Sequence, residues 1–416
     1  MIRPALLSLV ILGALSACMP SAPPAAPVPE PQYERLPTLP AIAPAAPREV
    51  GLHPGLPAHL DSIMEAGLAE GAAPGAVLAV GRHGRLVHLK GYGRIEQAAD
   101  APAVTPSTLY DLASLTKVVA STTAAMILEE EGRLDLDRPV RDYLPEFDDP
   151  AKELITLRLL LEHRGGLEAF ARLFTEFRGR EQYLQQINLR PIKRPPATET
   201  EYSDWDLILL QLVVERQTGK PLDKFLAERV FAPLGMADTQ FNPGRTQLER
   251  IAATEVDAQA RGGLIHGEVH DPNAWAMGGV AGHAGLFSTA PDLAVFAQMM
   301  LNGGEYNGVR ILQPATIARW TAPQVRGSSR ALGWDTPSGQ SSAGRFFSPR
   351  SFGHTGYTGT SLWIDPERGL FVILLTNRVN PTSSNTRHVP LRRAVADAVQ
   401  AAILDASLVD WEAARR

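Results

Sequence analysis

The 416-residue chain has a single cysteine, Cys18. No disulfide can form within it, so the fold rests on packing alone. A basic excess is also missing. Lys and Arg number 40 against 45 Asp and Glu, the net charge is −5 and the isoelectric point about 6.1. That balance gives no support to a nucleic-acid partner. Beyond the first 18 residues no stretch offers 18 uninterrupted apolar residues, which leaves no internal membrane span. The glycine-rich run 278–285 lacks the lysine and the serine or threonine of a phosphate loop, and reads as close-packed backbone near a cleft. The segment His266-Gly267-Glu268-Val269-His270-Asp271 lacks the His-Glu-x-x-His spacing of a metal helix and is broken by glycines, so it reads as a loop.

What the N-terminus does have is a targeting segment. Arg3 supplies a positive end, and residues 5–15 supply an apolar core too short to span a bilayer. Leu15-Ser16-Ala17-Cys18 resembles the lipobox of bacterial lipoproteins. The resemblance implies cleavage before Cys18, lipidation of Cys18, and residence in the cell envelope. Met19 is not the aspartate that often retains lipoproteins at the inner membrane, so the outer membrane facing the periplasm is expected. Residues 19–50 hold 10 prolines among alanines and are expected to form an extended tether. The domains are thus a signal peptide over 1–18, a tether over 19–50 and one large domain over 51–416.

The chemistry centres on Asp111-Leu112-Ala113-Ser114-Leu115-Thr116-Lys117, which opens an Ala-rich apolar run ending at Gly132. The run is predicted to be a buried helix. Positions i and i+3 share a helical face, so Ser114 and Lys117 point the same way. Ser114 would lie at the helix N-terminus, where unpaired N–H groups suit a developing oxyanion. A desolvated Lys117, neutral near pH 7, would accept the serine proton. By itself Ser-x-x-Lys is weak, because chance alone produces about one in a chain of this length.

Helices are further predicted over 56–68, 156–161, 205–214, 288–300 and 391–404, and strands over 75–80, 86–90, 361–364 and 370–376. Ser203 or Asp204 is placed to cap the helix that follows Tyr202. Strands at both ends with helices between give an α+β fold: an antiparallel β-sheet flanked by terminal helices, with an inserted, mainly helical subdomain. The Ser114 helix would lie at the boundary, where clefts form.

Ser114-Leu115-Thr116-Lys117, Tyr202-Ser203-Asp204 and His354-Thr355-Gly356, in that order, resemble the three motifs of the serine β-lactamase and penicillin-binding-protein superfamily. The nearest branch is the class C β-lactamase-like one that includes D-alanyl-D-alanine carboxypeptidases and esterases. Residues 156–167 and 279–289 are also similar to stretches common there. The resemblance implies an acyl-enzyme on Ser114, with Lys117 taking or holding its proton and Tyr202 passing a proton to the leaving group. It implies an oxyanion hole from the N–H groups of Ser114 and Tyr357. It also implies substrate contacts from Asp204, His354, Thr355 and Gly356. No metal and no organic cofactor are implied.

Two positions depart from the family pattern. Asp204 stands where many members carry asparagine, and a carboxylate only accepts hydrogen bonds while adding charge. His354 stands where many β-lactamases carry lysine, and it holds a substrate carboxylate less firmly. The expected activity is D-alanyl-D-alanine carboxypeptidase action on a peptidoglycan stem peptide. The alternatives are an esterase acting on a small acyl ester, a penicillin-binding sensor that acylates without turnover, and a class C-like β-lactamase.

Overall fold

The computed structural model describes residues 42–414; the leader, Cys18 and residues 19–41 of the expected tether lie outside the described residues. The central sheet has five strands: β1 (Gly75–Arg82), β2 (Arg85–Gly93), β3 (Phe352–Thr355), β4 (Ser361–Asp365) and β5 (Leu370–Thr376). Their order is β3-β4-β5-β1-β2, and every neighbouring pair is antiparallel. The two ends of the chain therefore build one sheet, with β1 paired to β5 from Ala76↔Thr376 to Arg82↔Leu370. His83 and Gly84 both have positive φ, which closes the β1–β2 hairpin with the twist that suits antiparallel strands.

Every residue of β1 and β5 is buried, as expected of strands covered on both faces. Alternate residues enter different cores. Ala76, Leu78 and Val80 meet Leu56, Leu60 and Met64 of α1 (Leu56–Ala69) and Leu391, Val395 and Val399 of the terminal helix His388–Ala401. Val77 and Ala79 face the larger core. That core contains α2 (Thr123–Glu130), α3 (Asp204–Thr218) and α4 (Ala290–Leu301), the heart of the inserted helical region. The α+β expectation thus holds. Among the described residues no helix is long and apolar enough to cross a membrane.

Differences from the predicted elements have local causes. The helix Gly179–Leu189 was not expected. It buries only Tyr183, Leu184 and Ile187, too few for a clear periodic signal. The terminal helix, α5 hereafter, begins three residues before the predicted start, because Pro390 falls in its first turn, where proline is tolerated. Residues 42–50 of the expected tether are packed. Ile42 and Val50 are buried, and Ala43 and Ala45 exchange backbone hydrogen bonds with Leu86 on β2.

Candidate active site

Ser114 sits in a tight turn between the short strand Tyr110–Asp111 and the helix that starts at Lys117. Ala113, just before it, has φ of 47°, a left-handed conformation that costs a non-glycine residue of order 1 kcal/mol. The turn is held from three sides. The Asp111 carboxylate accepts the Ala113 N–H at 2.8 Å, Thr358 Oγ1 donates to Asp111 O at 2.7 Å, and Thr360 Oγ1 donates to Leu112 O at 3.0 Å. The helix opens with one wide turn, Lys117–Thr122, bonded i to i+5 before α2 continues it.

Lys117 is fully buried, and its ammonium donates to Ser114 Oγ at 3.1 Å, Asp204 Oδ1 at 2.8 Å and His283 O at 3.2 Å. Burial alone would favour the neutral amine. The Asp204 carboxylate, helped by Tyr202, outweighs it, and the lysine pKa is raised above its ordinary value. The expectation of a neutral Lys117 is therefore corrected: with the Asp204 carboxylate 2.8 Å away, the resting site favours the ammonium.

Tyr202 is presented by the turn ahead of α3, which Ser203 caps by accepting the Trp205 N–H at 3.2 Å. Its ring lies 4.7 Å from Lys117 Nζ and 5.1 Å from the Arg330 guanidinium carbon. The buried phenol makes no hydrogen bond of full geometry, yet it lies near both Lys117 and Ser114. Burial raises its pKa, and the lysine charge opposes that rise.

His354, Thr355 and Gly356 run off the end of β3 beside Ser114. Burial, then the charges of Arg330 and Lys117, hold the His354 pKa well below its usual value. Its Nε2 accepts from Arg330 Nη1 at 3.4 Å and its Nδ1–H donates to Thr355 O at 2.8 Å, so the ring is uncharged. Gly356 has no room for a side chain: a Cβ would fall 2.1 Å from Thr360 Oγ1 and 2.4 Å from Leu112 O. Tyr357 is half exposed at the mouth, its ring stacked on His270 with centroids 5.6 Å apart and 4.3 Å from the Arg378 guanidinium carbon. Among the described residues the N–H groups of Ser114 and Tyr357 donate to no protein acceptor. Arg392 Nη2 donates at 2.8 Å to Gly356 O, the carbonyl of the same peptide unit as the Tyr357 N–H.

Seven of the eight predicted catalytic and substrate residues therefore converge on one place. Ser114, Tyr202, His354, Thr355, Gly356 and Tyr357 line an open cleft of about 360 Å³, and Lys117 lies directly beneath Ser114. Asp204, the eighth, joins them through Lys117 and does not line the cleft itself. Three larger hollows, about 770, 920 and 530 Å³, contain none of these residues. The cleft also takes in Arg330, Arg378, His388 and Arg392, with Asp335 as the one carboxylate on its wall. These were not found from sequence. Arg330 lies in the loop after Gly327-Ser328-Ser329, which has no periodicity to mark it. Asp204, Asp271 and His283 each present one possible metal-ligand atom, all within 4.8 Å of one another. Asp204 is already paired with Lys117 at 2.8 Å, and Asp271 hydrogen-bonds His283 at 2.9 Å.

A serine backed by a buried lysine and a half-buried tyrosine, on a sheet-and-helix frame of this topology, defines a serine hydrolase. The chain belongs to the Beta-lactamase family, whose model matches residues 60–397. A relative from Escherichia coli O157:H7, described as a "Putative D-alanyl-D-alanine carboxypeptidase", is 35% identical over 342 residues, 73% of this chain and 78% of that one. In fold, the chain is similar to a penicillin-binding protein homologue from Caulobacter crescentus, with TM-score 0.68, 23% identity, and 84% of this chain and 99% of that one covered. It is similarly close to EstCE1, a hydrolase with promiscuous acyltransferase activity, with TM-score 0.67, 23% identity, and coverage of 83% and 98%.

Proposed function

We propose that this hydrolase is a D-alanyl-D-alanine carboxypeptidase that works through an acyl-enzyme on Ser114. The observation that carries the substrate class is the charge of the cleft wall, where Arg330, Arg378 and Arg392 face one carboxylate, Asp335. Arg330 is the arginine poised for a ligand. Its nearest carboxylate is 3.9 Å away, and it lies beside His354, which is uncharged and so contributes hydrogen bonds without charge. Beside the uncharged His354, Arg330 gives a free peptide carboxylate the positive partner that lysine gives it in many β-lactamases. The carboxypeptidase description of the Escherichia coli relative supports the same reading.

Ser114 Oγ attacks the penultimate D-Ala carbonyl, and the free N–H groups of Ser114 and Tyr357 receive the oxyanion. Lys117 is protonated at rest, so it takes the serine proton only as its own crosses the 2.8 Å hydrogen bond to Asp204 Oδ1. Tyr202 delivers its phenol proton to the departing amine and is reprotonated by Lys117, which recovers a proton from Asp204, so the serine proton in effect ends on the amine. Water then hydrolyses the ester and regenerates Ser114. In this proposal the chain is exported, carries lipid on Cys18, and works in the envelope next to peptidoglycan.

The test is turnover of two peptides, one ending in free D-Ala-D-Ala and one ending in the carboxamide. The free acid should be cleaved far better, and Arg330→Ala should raise its KM about tenfold or more while leaving the carboxamide unaffected. Equal cleavage of both, or faster turnover of a simple acyl ester than of either, would replace this reading with the esterase one.

A further inference from the structure

Beneath Tyr202 lies a pair of ionisable groups that the reaction above does not use. His163 Nδ1 is 2.8 Å from Asp206 Oδ2, and both side chains are 1% exposed. The His163 ring packs on Tyr202 with centroids 4.6 Å apart. The same residue grips the backbone on both sides of the tyrosine. Its carbonyl accepts the Glu201 N–H at 2.8 Å, and its Nδ1 accepts the Ser203 N–H at 3.3 Å. The next segment continues the clamp: Ser203 Oγ donates to Glu168 O at 2.7 Å and the Asp204 N–H to Ala169 O at 3.1 Å. His163 itself sits at φ 55° at the end of the helix Leu157–Leu161, a strained turn that puts carbonyl and ring on the same strand of backbone.

The protonation of this pair follows from its contacts. An Nδ1 that accepts from Ser203 carries no hydrogen, so the proton shared with Asp206 belongs to the carboxyl group. His163 Nε2 and Asp206 Oδ1 are both buried with no partner. An imidazolium and a carboxylate would each leave a charged atom unpaired there, the most costly arrangement available. The groups facing the pair favour the same state. Arg330, Lys117 and His354 add to burial in disfavouring charge on His163; Asp204 adds to burial in disfavouring charge on Asp206, and Lys117 only partly opposes it.

We propose that His163, held as its uncharged Nε2–H tautomer by a protonated Asp206, is the positioning residue for Tyr202. It fixes the phenol against Lys117 and Ser114 while leaving the local field to Lys117 and Asp204. This rests on the reading of Ser114 and Tyr202 as catalytic, so Ser114→Ala and Tyr202→Phe are run alongside as controls.

Three outcomes follow for kcat with the D-Ala-D-Ala peptide. His163→Ala lowers kcat about 100-fold with KM little changed, the effect of misplacing a reacting group by about 1 Å. Asp206→Leu, which removes the donor, falls comparably. Asp206→Asn stays within about threefold of wild type, because a carboxamide N–H donates to Nδ1 as the carboxyl O–H does. Independently of activity, imidazole 15N spectra of the wild-type protein show His163 as one neutral tautomer with no titration between about pH 5 and pH 8. A titrating His163, or an Asp206→Asn loss as large as that of Asp206→Leu, overturns the proposal. If the Ser114 and Tyr202 controls keep their activity, the catalytic reading fails instead, whatever the spectra show.

Discussion

Lys117 shows how one neighbouring residue changes the chemistry of a motif. The spacing that brings Ser114, Lys117, Tyr202 and His354 together is carried by short motifs, and those residues were legible in the sequence. The protonation state of Lys117 was not, because it depends on which wins between burial and a carboxylate 87 positions away. Arg330 was equally hidden, since a loop arginine leaves no pattern. The ion pair makes a signed prediction. In the wild type the ammonium hands its proton to Asp204, so kcat/KM needs no deprotonation of Lys117 by solvent. In Asp204→Asn that acceptor is gone and the largest influence opposing burial goes with it, leaving Tyr202 alone against desolvation, so the Lys117 pKa falls. Below the lowered pKa of Lys117 the variant has neither an amine nor an acceptor for the lysine proton, so its kcat/KM should rise with pH through that pKa, a limb the wild type lacks. Parallel pH–rate profiles for the two proteins would contradict this.

At the scale of elements, the site is a joint between two pieces of backbone rather than a pocket within one. The turn at Ala113-Ser114 is bolted to the β3–β4 turn by Thr358 and Thr360, and Arg392 of α5 donates to the carbonyls of Gly356, Gly359 and Thr360. Strands and helices with strong periodicity were legible, as were the glycines of 278–285. There Ser121 Oγ bonds Gly282 O, and a Cβ at 282 would meet Leu207 O at 2.1 Å. The weakly amphipathic helix Gly179–Leu189 was not legible, and neither was the joint itself, which is made of contacts between residues some 250 apart in sequence. Gly356→Ala should strain this joint. The added Cβ meets backbone at Leu112 O, which cannot swing away, so unfolding free energy should fall by about 1–3 kcal/mol and activity should fall with it. An unchanged urea midpoint would show that the turn yields more easily than its contacts imply.

At the largest scale, the described body is tied together near both of its ends. The buried Arg82, at the tip of β1, donates to Val50 O at 2.6 Å and pairs with Asp405 at 2.7 Å, tying the segment ahead of α1 to the one after α5. The Pro/Ala composition of residues 19–50 concealed that the last nine of them belong to the packed body; one buried isoleucine and one buried valine suffice to anchor them. Relative to a chain that starts at residue 42, one that starts at residue 51 loses both side chains and an acceptor of Arg82. It should be less stable by about 3 kcal/mol or more, read from denaturant midpoints. Equal stability would make residues 42–50 a passive tether after all.

The most direct test of the proposed chemistry is the intact mass of the protein after incubation with a penicillin, followed by peptide mapping. Wild type should gain one adduct located on Ser114, and Ser114→Ala should gain none. An adduct on another residue, or equal labelling of the two proteins, would contradict Ser114 as the nucleophile.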